Sequence, residues 1–469
     1  MAAPYALSAA ELGRAYAARE LSPLEVARAV IEQLQRCEPH VHATWAFDAD
    51  EALAMARESG ARWLQGRARG PLDGVPVTIK ENIATRGWEM PLGCAASVLA
   101  PALMDAPPAA RLREAGAVFI ARTTMPDYGM LSSGLSSFHA LTRNPWDLRK
   151  NPGGSSAGAG AAAAAGYGPL HLGTDIGGSI RLPAAWCGVV GLKPSAGRVP
   201  IVPPYIGRVA GPLTRTVEDA ALAMAVLSQP DSRDATSLPP QALAWSDLPD
   251  DPGQALCGLK IGLLLDAGWG LPPDAEIEAA VRAAAGRFAD AGAIVTLLPA
   301  FSTREMADGI NRFWRMRCWL DIAALPAERE ARVLPYIRAW VAEASGYSAA
   351  QVFHGYSQLA ALRDAAMVAC EAFDFVLSPV APVSAFAAES ASPTGDPLRA
   401  MEHIAYTLPF NMSGQPAISV PCAHTAEGLP IGLQISGRRH DDPGVLRAAR
   451  AWELLRPAAS IRPWPEAPA

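Results

Sequence analysis

Between Asn151 and Lys193 the chain reads NPGGSSAGAGAAAAAGYGPLHLGTDIGGSIRLPAAWCGVVGLK, and two of its serines, Ser155 and Ser179, each directly follow a Gly-Gly pair. Glycine on the N-terminal side lets a serine occupy an exposed turn at which backbone N–H groups converge. That geometry suits a nucleophile that must bring a carbonyl against main-chain donors. Upstream, the apolar run Val75–Ile79 ends in a lysine, Lys80. The run is consistent with a desolvated lysine at a strand end. Burial lowers a lysine's pKa by several units from its ordinary value of about 10.4.

From Val75 onward short apolar strands alternate with helical stretches. Val75–Ile79, Val118–Ala121, Leu170–Leu172, Ile261–Leu265 and Ile294–Leu298 read as strands, with helices at Ala109–Ala115 and Asp274–Ala291. This alternation predicts an α/β fold with a central mixed sheet covered by helices on both faces. Strand-like segments at Phe375–Leu377, Ala417–Val420 and Gly432–Ile435 imply that the end of the chain returns to the same sheet, which makes a single large domain. Residues 1–40 predict two helices, opened by the capping boxes Ser8–Glu11 and Ser22–Glu25, with Pro23 at the first helical position. Ser228–Pro252 has the Pro, Asp and Ser content of a linker, which could separate two domains or form a surface excursion within one. Pro299–Ala372 is helical in pattern, and its cluster of Phe313, Trp314, Met316, Cys318 and Trp319 fits a buried aromatic face.

Length alone, 469 residues, allows two or three domains as readily as one. Half the residues are apolar and 18% are charged, as in a compact enzyme rather than a disordered or fibrous chain. A net charge of −6 gives no electrostatic reason to expect nucleic acid. The Ala-rich run Ala159–Gly166 is too short and too interrupted by glycine to cross a membrane, and the N-terminus lacks a basic region followed by an apolar one. The seven cysteines are scattered, form no CxxC and have no histidine cluster beside them, so free thiols in a reducing cytoplasm are expected rather than disulfides or a metal site.

Separated segments resemble, in order, the amidase signature family, serine hydrolases with a Ser–cis-Ser–Lys triad. They are PLDGVPVTIKENIATRG (Pro71–Gly87), GAVFIARTTMPDYG (Gly116–Gly129), TRNPWDLRKNPGGSSAGAGAAAAAG (Thr142–Gly166), LGTDIGGSIRLPAAWCGVVGLKPSAGRVP (Leu172–Pro200), FNMSGQPAISVP (Phe410–Pro421) and GLPIGLQISGRRHDD (Gly428–Asp442). The resemblance implies Ser179 as nucleophile and Ser155 as the serine that relays its proton to Lys80. It implies an oxyanion hole from the backbone N–H groups of Ile176, Gly177, Gly178 and Ser179. Ser156, Asp175 and Arg181 would support that loop, and Gly129, Met130 and Ser132 would run beside the substrate. Neither cofactor nor metal is implied. The single domain would comprise N-terminal helices (1–65), the signature core with the triad (66–225), a variable and partly pocket-forming region (226–375) and a C-terminal return to the sheet (376–469). One departure is visible: Ala157 stands where the family usually has glycine in GGSSGG. None of the eight histidines falls at a catalytic position, and His403 and His424 are expected in core or surface roles.

The implied activity is cleavage of a carboxylic amide C–N bond to acid plus ammonia or amine through a Ser179 acyl-enzyme, with ester or carbamate hydrolysis open to the same chemistry. The implied partner is a small-molecule amide, without nucleic acid or membrane, and a homodimer is a family-level expectation. The alternative is the amidase subunit of a tRNA-dependent amidotransferase, which shares the triad and needs partner subunits. Thr174-Asp175-Ile176 resembles the stand-alone enzymes, whereas the amidotransferase usually carries Ser-Asp-Thr. Other patterns fare worse. Gly154–Gly158 satisfies G-x-S-x-G with Ser156 as nucleophile, yet the polar WDLRKNPG before it is no buried strand. A phosphate loop lacks its GxxxxGK[ST] pattern, and a non-catalytic descendant would not need all three triad residues.

Overall fold

Eleven strands among the described residues form one mixed sheet. The structure is a computed structural model that describes residues 3–458 and 462–465. In chain order the strands are β1 (Thr44–Phe47), β2 (Pro76–Lys80), β3 (Val118–Thr123), β4 (Leu170–Asp175), β5 (Val190–Lys193), β6 (Val209–Thr214), β7 (Lys260–Leu263), β8 (Ile294–Leu297), β9 (Phe375–Pro379), β10 (Ala417–His424) and β11 (Pro430–Gly437). Their spatial order is β1-β3-β2-β4-β6-β5-β10-β11-β9-β7-β8. The late strands therefore enter the middle of the sheet rather than its rim, and the α/β fold is a single domain. β2 is flanked by parallel neighbours, β3 and β4. All five of its residues are buried. A strand covered on both faces reads as an unbroken apolar run, which is why VPVTIK is recognisable without alternation.

Helices cover both faces. On one side the helices Val217–Leu227, Ala275–Asp290 and Asp442–Leu455 share an apolar core with the sheet, where the Phe288 and Trp452 rings stack 5.8 Å apart. On the other side the helices Arg304–Ala323, Pro335–Val341 and Ala349–Cys370 bury Trp314 and Trp340 against the segment around Tyr406. The region 299–372 is thus helical, as its pattern predicts. Both predicted N-terminal capping boxes are formed, at Ser8–Glu11 and Ser22–Glu25.

Several elements escape the sequence pattern. β1 and the helix Ala49–Leu64 follow the two predicted N-terminal helices. β5 and β6 are short and carry Gly191, Gly211 and Pro212, residues that ordinarily argue against a central strand. Close approach explains Gly211: a Cβ there would stand 2.2 Å from the Leu192 carbonyl oxygen on the other strand. Ser228–Pro252, in contrast, is the excursion within one domain that the family resemblance implies rather than a linker. It contains no strand, and it is held to the body by the Leu238 N–H on Gly197 O at 2.9 Å and Arg198 Nη1 on Gln241 Oε1 at 2.7 Å.

Candidate active site

Lys80 closes β2 and is fully buried. Its Nζ lies within hydrogen-bond distance of Ser155 Oγ at 2.8 Å, Thr174 Oγ1 at 3.0 Å and Ser156 Oγ at 3.1 Å. All three partners are neutral hydroxyls. Burial pushes the Lys80 amine well below its ordinary range, and the positive charge of Arg208 pushes the same way against weaker opposing pulls from Asp175 and Glu81. These surroundings favour the neutral amine over the ammonium.

The two serine turns meet at this amine. Ser155 and Ser156 precede the helix Ala157–Ala165, and the Gly154–Ser155 peptide is cis. This helix is made only of alanine and glycine and is wholly buried. Larger side chains would hold it away: a Cβ at Gly158 would lie 2.1 Å from the Ala43 carbonyl oxygen. Ala157 is the first helical residue, so its methyl departs from the family's glycine without forcing a turn. The Ser156 N–H donates to the Ser179 carbonyl at 3.2 Å, which ties the first turn to the second. The Ser156 hydroxyl, in contrast, is fully buried, accepts from Thr174 N–H at 3.2 Å and donates to Thr174 O at 3.1 Å. It supports Lys80 and cannot reach a substrate, which removes the G-x-S-x-G alternative.

The loop from Ile176 to Ser179 leaves the end of β4. Gly178 has φ +130°, a conformation that favours glycine, and a Cβ there would meet Thr407 Oγ1 at 2.6 Å. One sequence expectation is corrected at this residue. The Gly178 N–H donates to Asp175 Oδ1 at 2.7 Å, so it braces the loop and does not face an oxyanion. Ile176, Gly177 and Ser179 remain as the candidate donors.

Asp175 organises that brace. Its carboxylate also accepts from Ile180 N–H at 3.1 Å, and it forms a fully buried ion pair with Arg181 at 3.0 Å. Burial alone would raise its pKa, but the Arg181 charge with hydrogen bonds from Arg181, Asn411 and Ile180 holds the carboxyl below the usual range. Arg181 in turn donates to Thr407 O, Gln434 Oε1 and Asn411 Oδ1 at 2.9, 2.7 and 2.5 Å. The expected supporting roles of Asp175 and Arg181 have this geometry behind them.

Ser155 and Ser179 line a common cavity of about 540 Å³. Apolar side chains such as Met90, Leu92 and Met125 supply much of its wall, with Asp175, Arg208, Arg317 and Asp321 as charged members. A narrower recess of about 40 Å³ adjoins it, lined by Ser132, Gly177, Ser179, Trp314 and Ile404 among others. Gly129 and Met130 border both spaces, whereas Ser132 borders only the recess. Trp314, from the predicted aromatic cluster, is both buried and part of the recess wall.

Sequence reasoning missed Thr174, Asn82, Arg208 and Arg317. Thr174 Oγ1 holds Lys80 and also accepts from Asn82 Nδ2 at 3.1 Å. Both residues stand inside the resembling segments, where a polar residue close to the triad lysine or to the Gly-Gly-Ser turn was the available signal. Arg208 and Arg317 lie outside every motif. Neither His403 nor His424 borders the cavity or the recess: His403 is buried against Trp186, with a pKa pushed down to about 4 by burial, and His424 packs on Trp146. Trp186 itself is core, its Nε1 donating to Val383 O at 2.9 Å. The cysteines are unpaired, six of them buried and Cys257 exposed. Among the described residues no cluster of His, Cys, Asp or Glu is suited to a metal, and no helix is long and apolar enough to cross a membrane.

Known proteins share this frame over nearly its whole length. The family model described as Amidase matches residues 25–446. A glutamyl-tRNA(Gln) amidotransferase subunit from Myxococcus xanthus is 37% identical, covering 95% of this chain and 96% of its own. The crystal structure of a bacterial aryl acylamidase of the amidase signature family superposes with a TM-score of 0.86 at 31% identity, over 97% of both chains. The crystal structure of a glutamyl-tRNA(Gln) amidotransferase subunit from Thermotoga maritima gives 0.79 at 27% identity, over 100% of this chain and 99% of its own. With a buried lysine, two glycine-flanked serines and this likeness together, the chain belongs to the amidase signature family of amide-hydrolysing enzymes.

Proposed function

We propose that the chain is a stand-alone amidase in which Ser179 attacks a carboxylic amide, Ser155 relays protons and Lys80 is the base. The observation that carries this is the 2.8 Å contact between Lys80 Nζ and Ser155 Oγ, at the wall of a cavity that Ser179 shares. A neutral amine keeps two N–H donors and one lone pair. The Ser156 hydroxyl already donates to Thr174 O, which leaves Ser155 to offer its proton to that lone pair. The Ser179 proton then passes to Ser155 as the Ser155 proton passes to Lys80, and Ser179 Oγ bonds to the carbonyl carbon. The N–H groups of Ile176, Gly177 and Ser179 face the developing oxyanion, each such donor lowering the barrier by roughly 2.7–4 kcal/mol. Collapse breaks the C–N bond, and the proton on Lys80 returns through Ser155 to the departing nitrogen. Water, deprotonated by the same pair, releases the acid from Ser179. Ester and carbamate carbonyls fit the same sequence of steps.

A second reading, the amidase subunit of a tRNA-dependent amidotransferase, is favoured by the names of relatives such as the Myxococcus xanthus protein. The stand-alone reading is supported by Thr174-Asp175-Ile176 and by the higher TM-score to the aryl acylamidase. Release of ammonia or amine from a panel of amides and esters, by the purified chain and by its Ser179→Ala variant, tests both. Turnover by the wild type alone supports the first. A folded chain inert on every substrate until other subunits are added supports the second.

A further inference from the structure

Two guanidinium groups enter the wall of the Ser155–Ser179 cavity without a carboxylate to neutralise either. Arg208, in the segment before β6, is half-buried and donates from Nη1 to Pro203 O at 3.0 Å. Arg317, on the helix Arg304–Ala323, lies over the Tyr205 ring, 4.4 Å from its centroid. Among the described residues neither joins an ion pair. Two other arginines on the helix of Arg317 are paired: Arg315 with Glu343 at 2.6 Å and Arg304 with Glu402 at 2.6 Å. Asp321, one turn beyond Arg317, also borders the cavity, but it is exposed and makes no ion pair with it.

Holding two cations together away from bulk water is unfavourable unless an anion compensates them. The strain is visible on Arg208, whose pKa is pushed down to about 10 by burial and by the charge of Arg317. With Lys80 neutral and Asp175 committed to its ion pair with Arg181, the two arginines are set against the exposed Asp321 alone, which leaves one positive charge in excess. Arg317 also borders the recess that holds Ile176, Gly177 and Ser179, so this charge reaches both sides of the reactive serine.

We infer that the preferred substrate is an amide bearing a second, ionised carboxylate, which Arg317 and Arg208 bind while the apolar wall of Met90, Leu92 and Met125 packs on the spacer. The inference rests on the proposal that Ser179 is acylated in this cavity, and it adds the substrate's charge. A guanidinium suits the role because its planar fork matches a carboxylate with two parallel N–H donors. The carboxylate can belong to the acyl half, as in the monoanilide of a dicarboxylic acid, or to the amine half, as in an acylated aminobenzoate.

The test compares each of these two anilides with its counterpart carrying a methyl group in place of the carboxylate, for wild type, Arg317→Gln and Arg317→Lys. For wild type, kcat/KM is expected to favour one acid-bearing anilide by about tenfold or more, chiefly through KM, and the preferred anilide identifies the half that carries the charge. Arg317→Gln should collapse that ratio towards one, and Arg317→Lys should restore part of it. Ratios at or below one for both wild-type pairs, or a ratio that survives Arg317→Gln, would overturn the inference. Ser179→Ala separates the two levels. If it is inert while wild type turns over all the anilides without charge preference, only the substrate inference fails; if it remains active, the underlying nucleophile proposal fails.

Discussion

Thr174 Oγ1 stands 3.0 Å from Lys80 Nζ and bridges that amine to Asn82 Nδ2. The threonine lies near the end of β4 and the lysine closes β2, so two parallel neighbours bring their final residues together. The lysine is thereby aimed at Ser155 by hydroxyls rather than by a carboxylate. Thr174→Val keeps the shape and removes the hydroxyl. It is expected to lower kcat about tenfold, the value of one buried hydrogen bond, with little change in KM. Steady-state kinetics on any accepted amide measures both.

The three candidate catalytic residues should separate by severity. Lys80→Ala and Ser179→Ala should each abolish turnover, while Ser155→Ala should leave a residue of it, because a water can stand in for the lost hydroxyl. Near-wild-type rates for Ser179→Ala would show that another group is the nucleophile.

Activity should rise with pH as Lys80 loses its proton, and level off well below a free lysine's range, because burial and Arg208 depress its pKa. Removing the Arg208 charge relaxes that depression. Arg208→Gln should therefore move the rising limb to higher pH, with activity lost near neutrality and regained in alkali. A limb that stays put, or moves to lower pH, argues against the electrostatic link.

Arg181 matters for stability as much as for the loop. Arg181→Ala leaves the Asp175 carboxylate buried without its counter-ion, a change that costs about 3–5 kcal/mol. Arg181→Lys should rescue little, since one ammonium cannot reach Asp175, Thr407, Gln434 and Asn411 together. Chemical denaturation of the three proteins checks the order.

A pH dependence of folding should trace to Asp219, on the helix Val217–Leu227. Burial raises its pKa to about 7, although Ala10 N–H donates to Oδ1 at 3.2 Å, and Oδ2 is buried without a partner. A raised folded-state value means that the contribution is fully present below the unfolded pKa near 4 and is lost as pH climbs through 7. The loss amounts to at most about 4 kcal/mol. Asp219→Asn should flatten this part of the melting-temperature profile between pH 4 and 8; an unchanged slope would assign it to other groups.

Lys80, Ser155 and Ser179 could be singled out as candidates because the segments that carry them resemble the amidase signature family, and because glycine pairs and a lysine closing an apolar run are local features. Asp175 and Arg181 were legible for the same reason, since both lie within the second serine segment. Gly178 was misassigned because the direction of a peptide N–H depends on which side chain reaches it, and a motif does not record that. Arg208 and Arg317 were invisible because they are brought together only by tertiary packing, from a loop before β6 and a helix about a hundred residues later. The sheet's existence followed from apolar runs. Its order did not, since β5 and β6 carry Pro212 and two glycines, Gly191 and Gly211, that close approach requires.

The position of β10 and β11, between β5 and β9, has a consequence for how the chain is made. A ribosome delivers Lys80, Ser155 and Ser179 early, yet Arg181 receives its Gln434 acceptor only 253 residues after it has emerged. Until then the sheet has two unjoined halves and a cation without its full set of acceptors. A prematurely terminated chain would therefore carry the lysine and serines proposed to react without the two strands that join the halves of the sheet and complete the acceptors of Arg181.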